Sequence, residues 1–271
     1  MVKGLYTAYT GMLNQAQRME VLTNNLANAS TTGFKKEGST SQTFDDVLAI
    51  KVKDSSDFNL PKKMGYVNLG VKIGETYTDY TQGSFRITDN TYDVALDGDG
   101  FFAISYTNKA GESSIKYTRD GAFSITKEGY LVTKDGDFVL NKEAALASNN
   151  AMVNVIPAGA IRVDTMAEVS IDEAGVLYQN GEQVATLGFV DIDDYNYISK
   201  YGENLYDIVP GGNVIDSDAK VVQGALEQSN VNIVSEMVEM IAITRSYEAN
   251  QKIIQTIDQT LDKAVNSVGQ V

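Results

Sequence analysis

Both ends of this 271-residue chain carry long rows of apolar side chains spaced four and three residues apart. Near the start, Leu5, Tyr9, Met12, Ala16, Met19 and Leu26 follow those steps, with only Thr23 interrupting. Toward the other end, Ile233, Met237, Met240, Tyr247, Ile254, Leu261, Val265 and Val268 do the same, with Thr244, Gln251 and Asp258 in the gaps. Alternating steps of four and three place every member on one side of an α-helix and form the seam of a helix pair. The spacing predicts a helix over most of 3–29 and a second one within 229–271, with Ser229 or Asn232 as its N-cap. Glu236 and Glu239 fall early in that second helix, where the positive end of the helix dipole favours anions.

Charge restricts what can cover these helices. Residues 1–34 hold only Lys3, Arg18 and Glu20 as charged groups, whereas a lone surface helix normally turns a charged face to water. Residues 1–40 carry four basic and two acidic side chains, and residues 229–271 carry three and five, so the ends cancel. The whole net charge of -14 therefore belongs to the middle of the chain. An antiparallel helix pair inside the chain's own core is the simplest arrangement of the two seams. A helix as long and as poor in charge as the first is marginal with one flank covered, because helical stability in proteins comes mostly from packing. The ends are expected to need other chains around them, mobile in an isolated monomer and ordered after assembly. The acidic middle repels nucleic-acid phosphates and anionic lipid, so neither is an expected partner.

From about residue 92 to 192 the pattern changes to short β runs broken by glycine, as in YDVALDGDGFFAIS and IKYTRDGAFSITKEGYLVTKDGDFVLN. Asp-Gly, Glu-Gly and Asn-Gly between alternating large apolar residues are hairpin signals, since glycine supplies the positive φ of a tight turn. Residues 126–139 and 171–184 form a weak repeat of an acidic residue, Gly and Leu, then a second Gly turn. Residues 35–91, with Pro61, several Gly and many Ser and Thr, read as an extended connector with limited β structure. The resulting division is 1–34 for the first stalk helix, 35–91 for the connector, 92–206 for an antiparallel β domain, 207–228 for a return connector and 229–271 for the second stalk helix. The expected fold class is α+β, with the terminal helices paired as a coiled-coil-like stalk and the β domain inserted between them.

Composition excludes most chemistry. With no His and no Cys, a Ser-His-Asp triad, a Cys-His dyad, a thiolate zinc site and a His facial triad are impossible. Asp97-Gly98-Asp99-Gly100 is followed by Phe101 and Phe102 rather than further oxygen ligands, so turn chemistry is favoured over calcium. Asp191, Asp193 and Asp194 read as a solvated loop. Paired carboxylates for a glycosidase have no readable spacing across a cleft, and no phosphate-cradling Gly loop occurs between a strand and a helix. No catalytic, cofactor or metal site is expected. A β-domain binding module, for glycans or calcium, is the alternative from a different class. The N-terminus lacks the charged and apolar regions of a secretory signal peptide, and no apolar run is long enough to span a bilayer.

The end of the first helix is more specific. Asn24, Asn25 and Asn28 are poor helix formers in isolation; Asn24 and Asn28 share a face, where amides can fix register. Gly33 suits a left-handed helix end, with Phe34 as an anchor beyond it. The segment MVKGLYTAYTGMLNQAQRMEVLTNNLANASTTGFK resembles the N-terminal segment of the bacterial flagellar rod and hook protein family, with its NNLAN-x-x-T-x-GFK stretch. GALEQSNVNIVSEMVEMIAITRSYEANQKIIQTIDQTLDKA is similar to the family's other hallmark, from SNV (Asn230) through EM-x-x-MI to R-x-YE-x-N, here Arg245, Tyr247, Glu248 and Asn250. YDVALDGDGFFAI, YTRDGAFSI and GENLY at 202–206 also fit. The similarity is collinear and covers nearly the whole chain, the connector being least alike.

The resemblance implies an axial structural protein of the flagellum rather than an enzyme. Such a protein is exported unfolded by the flagellar type III apparatus, without a cleaved signal or membrane insertion. It would polymerise helically through its terminal helices into the hollow shaft that transmits torque to the hook and passes exported subunits. Partners would be further copies of itself, other rod proteins, the hook protein and surrounding bushing rings, in the basal body outside the cytoplasmic membrane. Within the family the distal rod subunit is the first choice, because the connector is long and GENLY is present; a proximal rod paralogue or a short hook-like protein is the alternative.

Overall fold

The computed structural model describes residues 2–50, 63–108, 111, 113–146, 157, 159–164 and 167–268. Pro61 and the centre of the connector lie outside the described residues, as do the side chain of Val268 and residues 269–271. The chain is α+β, with a helix toward each end and antiparallel sheets between them. It divides into two compact units, one of residues 1–27, 36–79 and 231–271, the other of residues 28–35 and 80–230.

In the first unit, helix α1 (Val2–Ala27) and helix α2 (Ile233–Lys263) run about 39 and 46 Å at 1.5 Å per residue. Asn232 caps α2: its side-chain oxygen accepts from the backbone N–H of Val234 at 3.1 Å and of Ser235 at 3.2 Å. Among the described residues, the segment 35–91, expected to hold limited β structure, carries five strands, four of them in this unit. Strand Glu37–Thr43 pairs antiparallel with Val71–Thr78, and Val47–Ile50 pairs antiparallel with Lys63–Val67. The inner pair nests within the outer one, and the Phe44 N–H donates to the Gly70 carbonyl at 3.1 Å between them. The result is one long hairpin. Gly70, at φ +118, lies against α1, where an added Cβ would sit 2.0 Å from Thr10 Oγ1.

The second unit is built on strand Phe101–Thr107. It pairs antiparallel with Ser113–Thr118, Phe138–Val139 and Phe189–Ile192 within a nine-stranded sheet. Both faces of this strand are covered. Phe102 packs with Leu96, Phe123, Leu177, Leu187 and Phe189, while its neighbour Phe101 packs with Ile115, Tyr117, Val190 and Tyr206. Consecutive side chains on a strand point to opposite sides, so a fully buried strand needs an unbroken apolar run such as FFAI. The turns follow the sequence signals. Asn180 and Gly181 both have positive φ between strands Val176–Gln179 and Glu182–Thr186, as a two-residue hairpin turn requires. Glu203 and Asn204 do the same within GENLY. Asp97–Gly100 forms the turn between strand Val94–Asp97 and strand Phe101–Thr107, and Asp194 caps a short 3-10 helix at Tyr195–Tyr197. The flanking segments contribute too: Lys220–Gln223 pairs with Val94–Asp97, and Ala225–Glu227 with Phe85–Ile87.

Candidate assembly surface

The two helices of the first unit touch along a row one residue away from the apolar seam of α1. Gly4 faces Ile257, Gly11 faces Asn250, Arg18 pairs with Glu239 and Asn25 bonds Glu236, which makes the helices antiparallel. Ala8, Leu22 and Ile243 are buried along the same contact. The inward row thus steps 4, 8, 11, 18, 22, 25, with small residues at its first three positions. A Cβ at Gly11 would lie 3.2 Å from Asn250 Nδ2, which explains why a helix-weakening glycine stands there.

The large apolar residues of the predicted seam flank this row. Leu5, Met12, Met19 and Leu26 are half-buried, and Tyr9 is 54% exposed. On α2, Met240, Tyr247 and Ile254 are half-buried, whereas Ile233, Met237 and Leu261 are exposed. Further apolar side chains stand in water: Tyr6 and Leu13 on α1, and Val234, Val238 and Ile241 on α2 at 66%, 62% and 55% exposure. Arg245 and Glu248 are exposed as well.

The asparagine motif does two separate jobs. Asn25, fully buried, bonds the backbone of Glu37 twice, donating to its carbonyl at 2.8 Å and accepting from its N–H at 2.9 Å. An amide is the side chain that can imitate a strand neighbour in this way, since it offers a donor and an acceptor together. Asn25 also donates to Glu236 Oε2 at 3.2 Å. Glu236 is itself buried and pairs with Lys36 at 2.5 Å, and that hydrogen bond holds the Lys36 ammonium above its usual pKa. Asn24 donates to the Glu37 carboxylate at 3.3 Å. These contacts fix where α1 ends and the hairpin begins.

The rest of the motif belongs to the second unit. Asn28 accepts from Thr31 Oγ1 in a turn at 3.2 Å. Gly33 has φ +66, and an added Cβ would lie 2.4 Å from the Arg119 carbonyl carbon, so glycine alone fits. Its N–H donates to the Glu227 carbonyl at 2.9 Å. Phe34 is buried, with Lys200 Nζ 4.4 Å from its ring centre. Lys35 reaches Glu227 Oε1 at 2.6 Å, and Arg119 reaches Glu227 Oε2 at 3.3 Å. All three charges are buried. Thr32 donates to Asp120 at 2.7 Å, Asn204 to the Thr32 carbonyl at 2.8 Å, and Asn230 to the Thr81 carbonyl at 3.1 Å. GFK, YTRDG, GENLY and GALEQSN thus meet in one network. Sequence reasoning did not single out Lys35, Arg119 or Glu227 as partners. Glu227 alone stands in an uncharged stretch, whereas Lys35 adjoins Lys36 and Glu37 and Arg119 adjoins Asp120, so no local signal paired the three.

Among the described residues no cluster of three His, Cys, Asp or Glu could hold a metal. What these features can do is join polypeptide surfaces. Residues 5–35 match the family described as "Flagella basal body rod protein", residues 95–179 "Flagellar hook protein FlgE/F/G D1 domain", and residues 222–267 "Flagellar basal body rod FlgEFG protein C-terminal". The chain is 31% identical to the flagellar hook-basal body complex protein FlhO of Bacillus subtilis, over all of both chains. It is 33% identical to the flagellar basal-body rod protein FlgG of Buchnera aphidicola subsp. Schizaphis graminum, covering 97% of this chain and 98% of that one. A flagellar basal-body rod protein FlgF of Rhizobium meliloti is 32% identical over 99% of each. The chain therefore belongs to the flagellar basal-body rod and hook protein family.

Proposed function

We propose that this chain is a structural subunit of the flagellar rod that polymerises helically through its two terminal helices. The observation that carries this reading is the apolar surface both helices leave in water: Tyr6, Tyr9 and Leu13 on α1, and Val234, Val238 and Ile241 on α2. Contiguous exposed apolar patches mark interaction sites, and α1, with only Lys3, Arg18 and Glu20 charged, gains most from neighbours that cover its apolar face. The half-buried flanks, including Met12, Met19, Leu26, Met240, Tyr247 and Ile254, complete the interface, and the paired helices act as a coiled-coil-like stalk. The polymer is a hollow shaft that transmits torque to the hook and passes exported subunits. Its subunits arrive through the flagellar type III export apparatus, work in the basal body outside the cytoplasmic membrane, and meet other rod proteins, the hook protein and surrounding bushing rings. Among the described residues, no helix is long and apolar enough to cross a membrane.

A distal rod subunit is the first reading within the family. A proximal rod paralogue or short hook-like subunit is the second, favoured by near-equal identity to relatives under three different names. The test is electron microscopy of the full chain over a concentration series, beside Tyr9→Glu and Ile233→Glu. Native polymer, and its loss in both variants with the β spectrum retained, is the expected result. Normal polymer from both variants, or a native monomer whose two helices are fully protected from hydrogen exchange in dilute buffer, would overturn it.

A further inference from the structure

We infer that a second copy of this chain lays the outer face of its α2 into a side groove of the first copy's α1, in antiparallel register, with Arg245 opposite Glu20. This rests on the polymer reading and adds which surfaces meet. The groove is lined by Ala16, Met19, Thr23, Ala27 and Tyr247, with Glu20 and Asn24 at its polar edge. Its floor is small or apolar, and Glu20 is one of three charges on α1. Arg18 is already paired with Glu239, whereas among the described residues Glu20 has no ion-pair partner, and neither has Arg245. Both are exposed.

Charge and spacing select the same register. In a helical polymer each copy follows the last by rotation and translation along one axis, a head-to-tail contact that does not close. A helix lying along that axis keeps its direction in every copy, so α1 of one copy meets α2 of the next antiparallel, as the two do within one chain. Setting Arg245 opposite Glu20 then places Ala249 opposite Ala16 and Val238 opposite Ala27. The steps of 3 or 4 residues coincide along both faces, and Ala against Ala lets the helix axes approach closely. Val238 and Ala249 lie on the side of α2 away from Glu236, Ile243 and Asn250, so the chain's own helix pair leaves them free for the neighbour.

The full chain contains no cysteine, which makes the test clean. Glu20→Arg or Arg245→Glu alone is expected to cut polymer yield by about tenfold or more, and the two together to restore it within about twofold, because like charges at an interface repel and the exchange rebuilds the pair. A chain carrying both Ala16→Cys and Ala249→Cys, oxidised after assembly, is expected to give a ladder of covalently joined copies. Polymer without a ladder, or a double charge variant no better than the singles, overturns this pairing and leaves the rod reading standing. A native chain that forms no polymer at all overturns both.

Discussion

The helical unit and the β unit bury very different side chains. In the β unit the interior is large and apolar, with Phe101, Phe102, Leu96, Leu187 and Tyr206 all nearly inaccessible, and the buried Glu227 pairs with both Lys35 and Arg119. On the two long helices the buried side chains among the described residues are Ala8, Asn14, Leu22, Asn25, Glu236 and Ile243. Only Leu22 and Ile243 are large hydrocarbons. Their bulky apolar neighbours stand half or wholly in water. Apolar burial of about 25 cal/mol per Å² is the main stabilising term in folding, so the β unit completes its own core while the helices hold back surface that another chain can cover.

The sharpest way to break this contrast is at Glu227. Glu227→Ala leaves Lys35 and Arg119 buried without a counter-charge, a loss of about 3–5 kcal/mol, read as a lower denaturation midpoint of the β signal. A loss below about 1 kcal/mol would mean that the β unit does not depend on its own interior. Next is Asn25→Ala, which removes three hydrogen bonds and strands the Glu37 backbone, at about 2–3 kcal/mol. Hydrogen exchange should quicken in α1, α2 and the hairpin while the β-unit amides keep their protection; uniform quickening would contradict two separable units.

A smaller effect comes from Asp137, in the β unit. Burial, with Asp135 and Glu203 adding repulsion, pushes its carboxyl up to about 6 from 3.8. The folded state therefore binds this proton more tightly than the unfolded state does. Its contribution is complete below about pH 3.8 and is lost as pH rises through about 6. Because the group is half open to solvent, screening limits it to about 1 kcal/mol or less. Asp137→Asn is expected to flatten the stability profile between those values and raise stability slightly at pH 7. The smallest change is Val234→Ser, within about 0.5 kcal/mol for the monomer despite a marked loss of polymer. A monomer strongly destabilised by this change would place Val234 in a core rather than at an interface.

Much of the architecture was legible in the residues. Asn232 as the cap of α2, the Asn-Gly turn at 180–181 and the buried run at Phe101 follow from local chemistry: a short polar acceptor, a positive φ and an unbroken apolar strand. Less legible was the contact row of α1. Ranking positions by apolar size selects Leu5, Tyr9, Met12, Met19 and Leu26, yet the positions of α1 that face α2 include the small Gly4 and Gly11. The hairpin of the connector was equally hard to read. Strand Glu37–Thr43, with the sequence EGSTSQT, has almost no apolar alternation, and its pairing is held by backbone bonds and the Asn25 amide.

By itself the sequence determined the helical ends, the antiparallel β middle, the exclusion of His and Cys chemistry and the family, because periodicity, turn residues and composition act over a few neighbouring positions. Only the tertiary structure decided which face of α1 turns inward, and that Lys35, Arg119 and Glu227 form one buried network across 192 residues of chain. Such choices depend on distances between segments far apart in sequence, where small side chains permit contact and a buried charge must find its opposite.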